Sequence, residues 1–191
     1  MLEPAETRAS LEGAARLAIG KADGMAYFGH DMDAFWRSFG AMLVAGPVYL
    51  AYVWAEYMLR TSGGEAVTLP HLFLVRLVHY PVDWLAYPVA FILIAQIIGV
   101  TKRYGIYVIA FNWTSVIILA AIALPTLLHA FFGLRETLAG IFGLVLLLAA
   151  FRLRWLIARL ALEVDRLTAA GLVFVEFALG LLVARLFDSL I

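Results

Sequence analysis

The sequence predicts an all-α fold, a polytopic membrane bundle of five transmembrane helices preceded by a short interfacial or amphipathic helix. Five apolar stretches fill most of the 191 residues. Each approaches the ~20 helical residues that cross a hydrocarbon core of ~30 Å. Apolar side chains make up 64% of the chain, and the mean hydropathy of +0.94 excludes a soluble reading. The predicted spans are Ser38–Met58, Asp83–Val100, Tyr104–Leu127, Leu138–Leu153 and Leu167–Phe187. Their connections are too short for a second core. The chain therefore divides into an N-terminal cytoplasmic segment, 1–36, and one transmembrane domain, 37–191.

With no cysteine, disulfide frameworks, thiol catalysis and cysteine-ligated metals are excluded. A formal net charge of zero argues against nucleic acid as a partner. The start of the chain lacks the positive, apolar and small-residue succession of a cleaved signal peptide. Arg8, Arg16, Lys21, Arg37, Lys102, Arg103, Arg152, Arg154, Arg159 and Arg166 fall on one predicted side. Only Arg60, Arg76, Arg135 and Arg185 fall on the other. This imbalance predicts a cytoplasmic N-terminus and an outer C-terminus in a bacterial inner membrane.

Taken in order, residues 1–10 are polar and expected to fray. Leu11–Gly24 reads as a weakly amphipathic helix with Leu11, Ala14, Ala15, Ala18 and Ile19 on one face. It is expected either on the inner leaflet or against the cytoplasmic ends of the bundle. Phe28, Phe35, Trp36 and Phe39 lead into the first span at the depth where aromatics suit headgroups. Thr61-Ser62-Gly63-Gly64 marks a turn. His71–Tyr80 is expected as a separate interfacial helix, since Pro81 fits the first turn of a new one. Pro47, Pro88 and Pro125 lie within spans and free backbone carbonyls there. The fourth span is the shortest. Beyond it, Arg152, Arg159 and Arg166 recur every seven residues and are candidate lipid-headgroup contacts. Glu163 is spaced to pair with Arg159 and Arg166.

Ionisable groups within spans are costly and point to a use. Glu176 sits near the centre of the fifth span, in line with Gly180, Ala184 and Asp188. A bare carboxylate there is too costly, so Glu176 is expected to be protonated or pinned by a donor. Asn112 of the third span can donate and accept, so it is an expected partner for Glu176 or for Gln96 of the second span, which makes Glu176, Asn112 and Gln96 a candidate buried polar site. Trp113 beside Asn112 is expected to face lipid or the interface. Tyr49, Tyr52 and Glu56 share one face of the first span, and His79, Asp83 and Tyr87 one face of the second. Tyr49, Tyr52, Glu56, His79 and Asp83 form a candidate outer polar cluster. Its competing readings are a hydrogen-bond network, a solute vestibule and a divalent-metal site; no metal and no cofactor are assigned.

The segment FGHDMDAFWRSFGAMLVAGPVYL, the stretch YVIAFNWTSV and the order of amphipathic helix, five close spans and short C-terminus resemble the Yip1 family and its small bacterial relatives. The resemblance implies no enzyme activity and transfers no site residue. The expected function is a non-enzymatic scaffold or accessory subunit that binds lipid, other membrane proteins or a second copy of itself. The alternative is a small oligomeric transporter or channel using the buried carboxyls. A third reading, an intramembrane enzyme, rests only on His79, Asp83 and His129.

Overall fold

The computed structural model describes residues 3–191. Residues 1 and 2, part of the 1–36 segment, lie outside the described residues. Among the described residues there are seven α-helices and no strand: α1 Pro4–Ala18, α2 Met32–Ser38, α3 Ala41–Ser62, α4 Leu69–Ile97, α5 Tyr104–Phe132, α6 Glu136–Leu162 and α7 Arg166–Asp188. The last five are each long and apolar enough to cross a membrane. Their outward faces carry Leu43, Leu93, Ile97, Leu144, Phe174 and Leu182, all exposed. A water-facing protein does not leave so much contiguous apolar surface uncovered. The fold is the predicted five-helix membrane bundle.

The centre of the bundle is α5. Nine consecutive residues, Tyr107–Ser115, are buried. A helix buried on every side must be surrounded, and α5 is enclosed by α1, α2, α3 and α6. This corrects the expectation for Trp113. Its indole is 2% exposed, because the helix that carries it has no lipid face at that level.

Several boundaries differ from expectation. Residues 4–10 do not fray; Pro4 opens α1, where its missing N–H costs nothing. The helix stops at Ala18 because Gly20 turns left-handed, with φ +85°. Its buried residues are Ser10, Gly13, Ala14 and Leu17, while Ile19 points outward. The helix packs on the ends of α5 and α6. The contact depends on glycine. A Cβ on Gly13 would sit 2.7 Å from the Gly24 carbonyl oxygen, and one on Gly24 would sit 2.5 Å from that of Gly13. Two backbones therefore touch where α1 meets the 3-10 turn Ala22–Tyr27.

His71–Tyr80 is not a separate helix. It is the first part of α4, which continues through Pro81 and Pro88. Proline removes one backbone bond but leaves the others, and side-chain anchors hold the turn that leads into Pro81. Arg76 is ion-paired, and the Tyr80 hydroxyl donates to the Met42 carbonyl at 2.7 Å. The fourth span is also longer than expected. α6 runs on to Leu162, so Arg152, Arg154 and Arg159 lie within it. Glu163 ends it in a left-handed conformation, φ 56°, and pairs with Arg103 rather than with Arg159 or Arg166.

Asp165 caps α7, accepting from the Leu167 and Thr168 backbone N–H groups at 2.8 and 3.1 Å. The Thr168 hydroxyl donates to it as well, and these bonds hold its carboxyl below the usual carboxylate range. The cap is fully formed above that range and is lost as pH falls through it.

Gly24→Leu is expected to undock α1, exposing Leu17 to protease and hydrogen exchange while the spanning helices keep their protection. A pulse of exchange read by mass spectrometry on detergent-solubilised protein checks this.

Candidate intramembrane site

The second buried segment of interest is Arg154, on α6. Its guanidinium is 8% exposed. One terminal nitrogen donates to the Phe111 carbonyl at 2.9 Å and to Thr114 Oγ1 at 3.2 Å. The other donates to Ser115 Oγ at 2.7 Å. Nε lies 2.7 Å from Glu176 Oε1, and the Phe111 ring covers the group at 3.7 Å. A buried charge is tolerated only when paired and hydrogen-bonded, and Arg154 is both. It is the donor that Glu176 required.

This corrects the predicted buried polar site. Asn112 meets neither Glu176 nor Gln96. Asn112, fully buried, accepts from Trp84 Nε1 at 3.2 Å and donates to Ser38 Oγ at 2.9 Å. It thereby ties α2, α4 and α5 together. Gln96 is exposed near the end of α4. Asn112 points to the α2 side of α5, whereas Thr114 and Ser115 point to α6; one helix turn separates two different networks.

The predicted outer cluster separates in a similar way. Arg76 donates to both carboxylate oxygens of Glu56, at 2.8 and 2.5 Å, and to Asp188 at 2.7 Å. Arg60 also holds Glu56, at 2.9 Å. Glu56 is thus part of an ion network linking α3, α4 and α7, not a partner of His79 and Asp83. The Tyr49 hydroxyl donates to the Arg76 carbonyl at 3.0 Å, with His79 Nδ1 3.4 Å away. The His79 ring packs 5.0 Å from Phe187. His79 Nε2 is buried without a partner.

Between the two arginines lies a cavity of about 470 Å³ bounded by α3, α4, α5, α6 and α7. Tyr49, Tyr52, His79, Asp83, Arg154 and Glu176 all line it. The structure thus joins the two predicted sites, less Asn112, Gln96 and Glu56, into one chamber. Small residues on α7 make room. A Cβ on Gly180 would lie 3.9 Å from Asp83 Oδ1. Asp83 is exposed into this space, and Glu176 Oε2 has no partner. Ile122, Phe177 and Leu181 on its wall are 40%, 41% and 47% exposed, so the chamber is open rather than sealed.

Other predicted residues lie elsewhere. His129 is fixed against the Leu134 carbonyl at 2.5 Å, at the end of α5. Arg152 is exposed, with a terminal nitrogen against Gly20. Arg159 lies over the Trp155 ring at 5.2 Å, and Arg166 is exposed at the start of α7. Among the described residues no group of three His, Asp or Glu converges as metal ligands do.

By position alone Arg76 and Arg154 read as charges flanking the spans rather than as site residues. The signal was present. Arg76 is surrounded by apolar residues in HLFLVRLVHY, and Thr114-Ser115 interrupt an apolar span and need a donor.

Comparison with protein-family models, curated proteins and solved structures finds no match to this chain.

Breaking either pair by removing one partner strands a buried charge, at a cost of ~3–5 kcal/mol. Arg154→Leu is therefore expected to lower the unfolding midpoint in a denaturing-detergent titration far more than the exposed control Arg166→Leu. Asn112→Ala leaves the buried Trp84 indole N–H unsatisfied, so its expected cost is ~1–3 kcal/mol in the same titration.

Proposed function

We propose that this chain is a multi-pass membrane transporter that binds a small solute within the chamber between α3 and α7. The observation that carries this reading is the chamber itself. It holds a carboxylate, Asp83, with no hydrogen-bond or ion-pair partner among the described residues. Its volume of about 470 Å³ falls within the ~300–1,000 Å³ of ligand sites. Purely structural polar groups in a membrane bundle are paired, as Glu56, Asn112 and Arg154 are here. A solute-binding group is left free for its ligand. We assign no catalytic role, since no nucleophile accompanies His79 and Asp83, and His129 is occupied elsewhere.

The chain is proposed to sit in a bacterial inner membrane with its N-terminus cytoplasmic. Burial of Arg154 and Arg76 removes one loop charge from each side and leaves the excess of Lys and Arg on the α1 side. Arg152, Arg159 and Arg166 lie at that end and are proposed headgroup contacts.

A second reading is an accessory subunit or scaffold. It draws support from Gly46, Gly140 and Gly171 on α3, α6 and α7, where open space lies over the position of a Cβ. Outward small residues allow another helix to approach closely. The Yip1-like topology supports it too.

Proteoliposomes containing the purified chain are expected to accumulate a solute saturably, with uptake abolished by Gly180→Phe, which fills the chamber. Absence of flux across cationic, anionic and neutral solutes, together with a defined heteromeric complex in native mass spectrometry, would transfer the assignment to the second reading.

A further inference from the structure

We infer that the solute is a lipophilic organic cation, anchored by Asp83. The inference rests on the solute-binding reading above and names the ligand class of the same chamber.

The argument is one of charge accounting. Arg154 and Glu176 neutralise one another at 2.7 Å. The terminal nitrogens of the guanidinium are engaged as well: they donate to Phe111, Thr114 and Ser115, and the Phe111 ring covers the group, while Nε faces Glu176 as an ion pair without a hydrogen bond. An anionic ligand entering the chamber therefore meets no free cation. Arg76 offers none either, since Glu56 and Asp188 occupy it. Two carboxylate features remain unmatched. Asp83 makes no bond to any described side chain and faces the cavity, and Glu176 Oε2 is buried with no partner. The unmatched charge of the chamber is negative, with the unpartnered His79 Nε2 in the same lining.

The rest of the wall fits the body of such a ligand. Tyr52, Tyr80, Trp84, Phe151 and Phe177 contribute aromatic rings. Rings attract cations through their negative faces, most strongly where water is excluded. The open side of the chamber is framed by apolar Ile122, Phe177 and Leu181, which suits entry of a molecule dissolved in hydrocarbon. A hydrated inorganic ion fits poorly, because most of the wall cannot replace its water shell. A diffuse cation on an apolar body satisfies both halves of the lining. It also supplies the counter-charge that makes an ionised Asp83 affordable inside the membrane.

The test is equilibrium dialysis of purified protein in a non-ionic detergent against tetraphenylphosphonium and tetraphenylborate, which share a shape and differ in charge. The expected result is saturable binding of the cation, about tenfold or more weaker in Asp83→Asn and retained in Asp83→Glu. Asp83 takes part in no network that holds the fold, so the variant is expected to remain monodisperse at the wild-type melting temperature. Gly180→Leu keeps every charge and crowds Asp83; it provides a second route to the same loss and stands in if Asp83→Asn does not fold. Cation binding that is unchanged in a folded Asp83→Asn overturns the inference. So does saturable binding of tetraphenylborate alone, which leaves the solute-binding reading standing. Saturable binding of neither probe, in protein that is folded and monodisperse, overturns both.

Discussion

The position of Arg154 constrains most of this structure. A guanidinium inside an apolar bundle is tolerable only with its donors met and its charge balanced. Those conditions draw three helices together. α5 supplies a carbonyl and two hydroxyls from Phe111, Thr114 and Ser115, and α7 supplies the carboxylate of Glu176. The hydroxyls are themselves tied to α5, since Thr114 donates to the Ala110 carbonyl and Ser115 to that of Phe111. Their lone pairs are thereby turned toward α6. The register of α6 against α5, and of α7 against α6, follows from this one side chain. Apolar packing between lipid-facing helices supplies no comparable specificity, because lipid tails solvate leucine as well as another helix does.

Arg76 does similar work at the other end of α4 and α7. Its bonds to Glu56 and Asp188 fasten the end of α3 and the end of α7 to the start of α4. With α4 and α7 fixed there and α6 and α7 fixed at Arg154, the stretch between is held apart rather than packed shut. Gly180 and Ala184 are too small to fill the gap, and the chamber is what remains. An internal space in a membrane bundle thus follows from two ion-paired arginines and small residues placed between them.

The chamber differs from the networks that frame it in one respect. Glu56, Asp188, Asn112 and Arg154 have their partners within the protein, and each serves to hold helices together. Asp83, His79 Nε2 and Glu176 Oε2 do not. His79 Nε2 and Glu176 Oε2 are buried without partners, which works against folding, and their meeting with the exposed Asp83 in one space is difficult to ascribe to stability. It is the pattern of a site whose bonds are completed by something else.

Much of this was legible in the sequence. Five apolar runs fixed the class, since a backbone in hydrocarbon must satisfy itself and the helix does so locally. The stripes Tyr49/Tyr52/Glu56, His79/Asp83/Tyr87 and Glu176/Gly180/Ala184/Asp188 followed from helical periodicity alone, and each does face the bundle interior. Periodicity gives a face but not its neighbour. Which stripe meets which depends on helix order around α5, and that is a tertiary outcome. Hence the sequence offers Asn112 to Glu176, whereas two residues of rotation along α5 send Asn112 to Trp84 and Ser38 and leave Glu176 to Arg154. The arginines are ambiguous in the sequence for a related reason. A charge near the end of an apolar run looks like a loop residue until a partner helix supplies its counter-charge. Composition and period decided that helices cross a membrane; only packing decided which charges were buried, which were paired, and that Asp83 was left free.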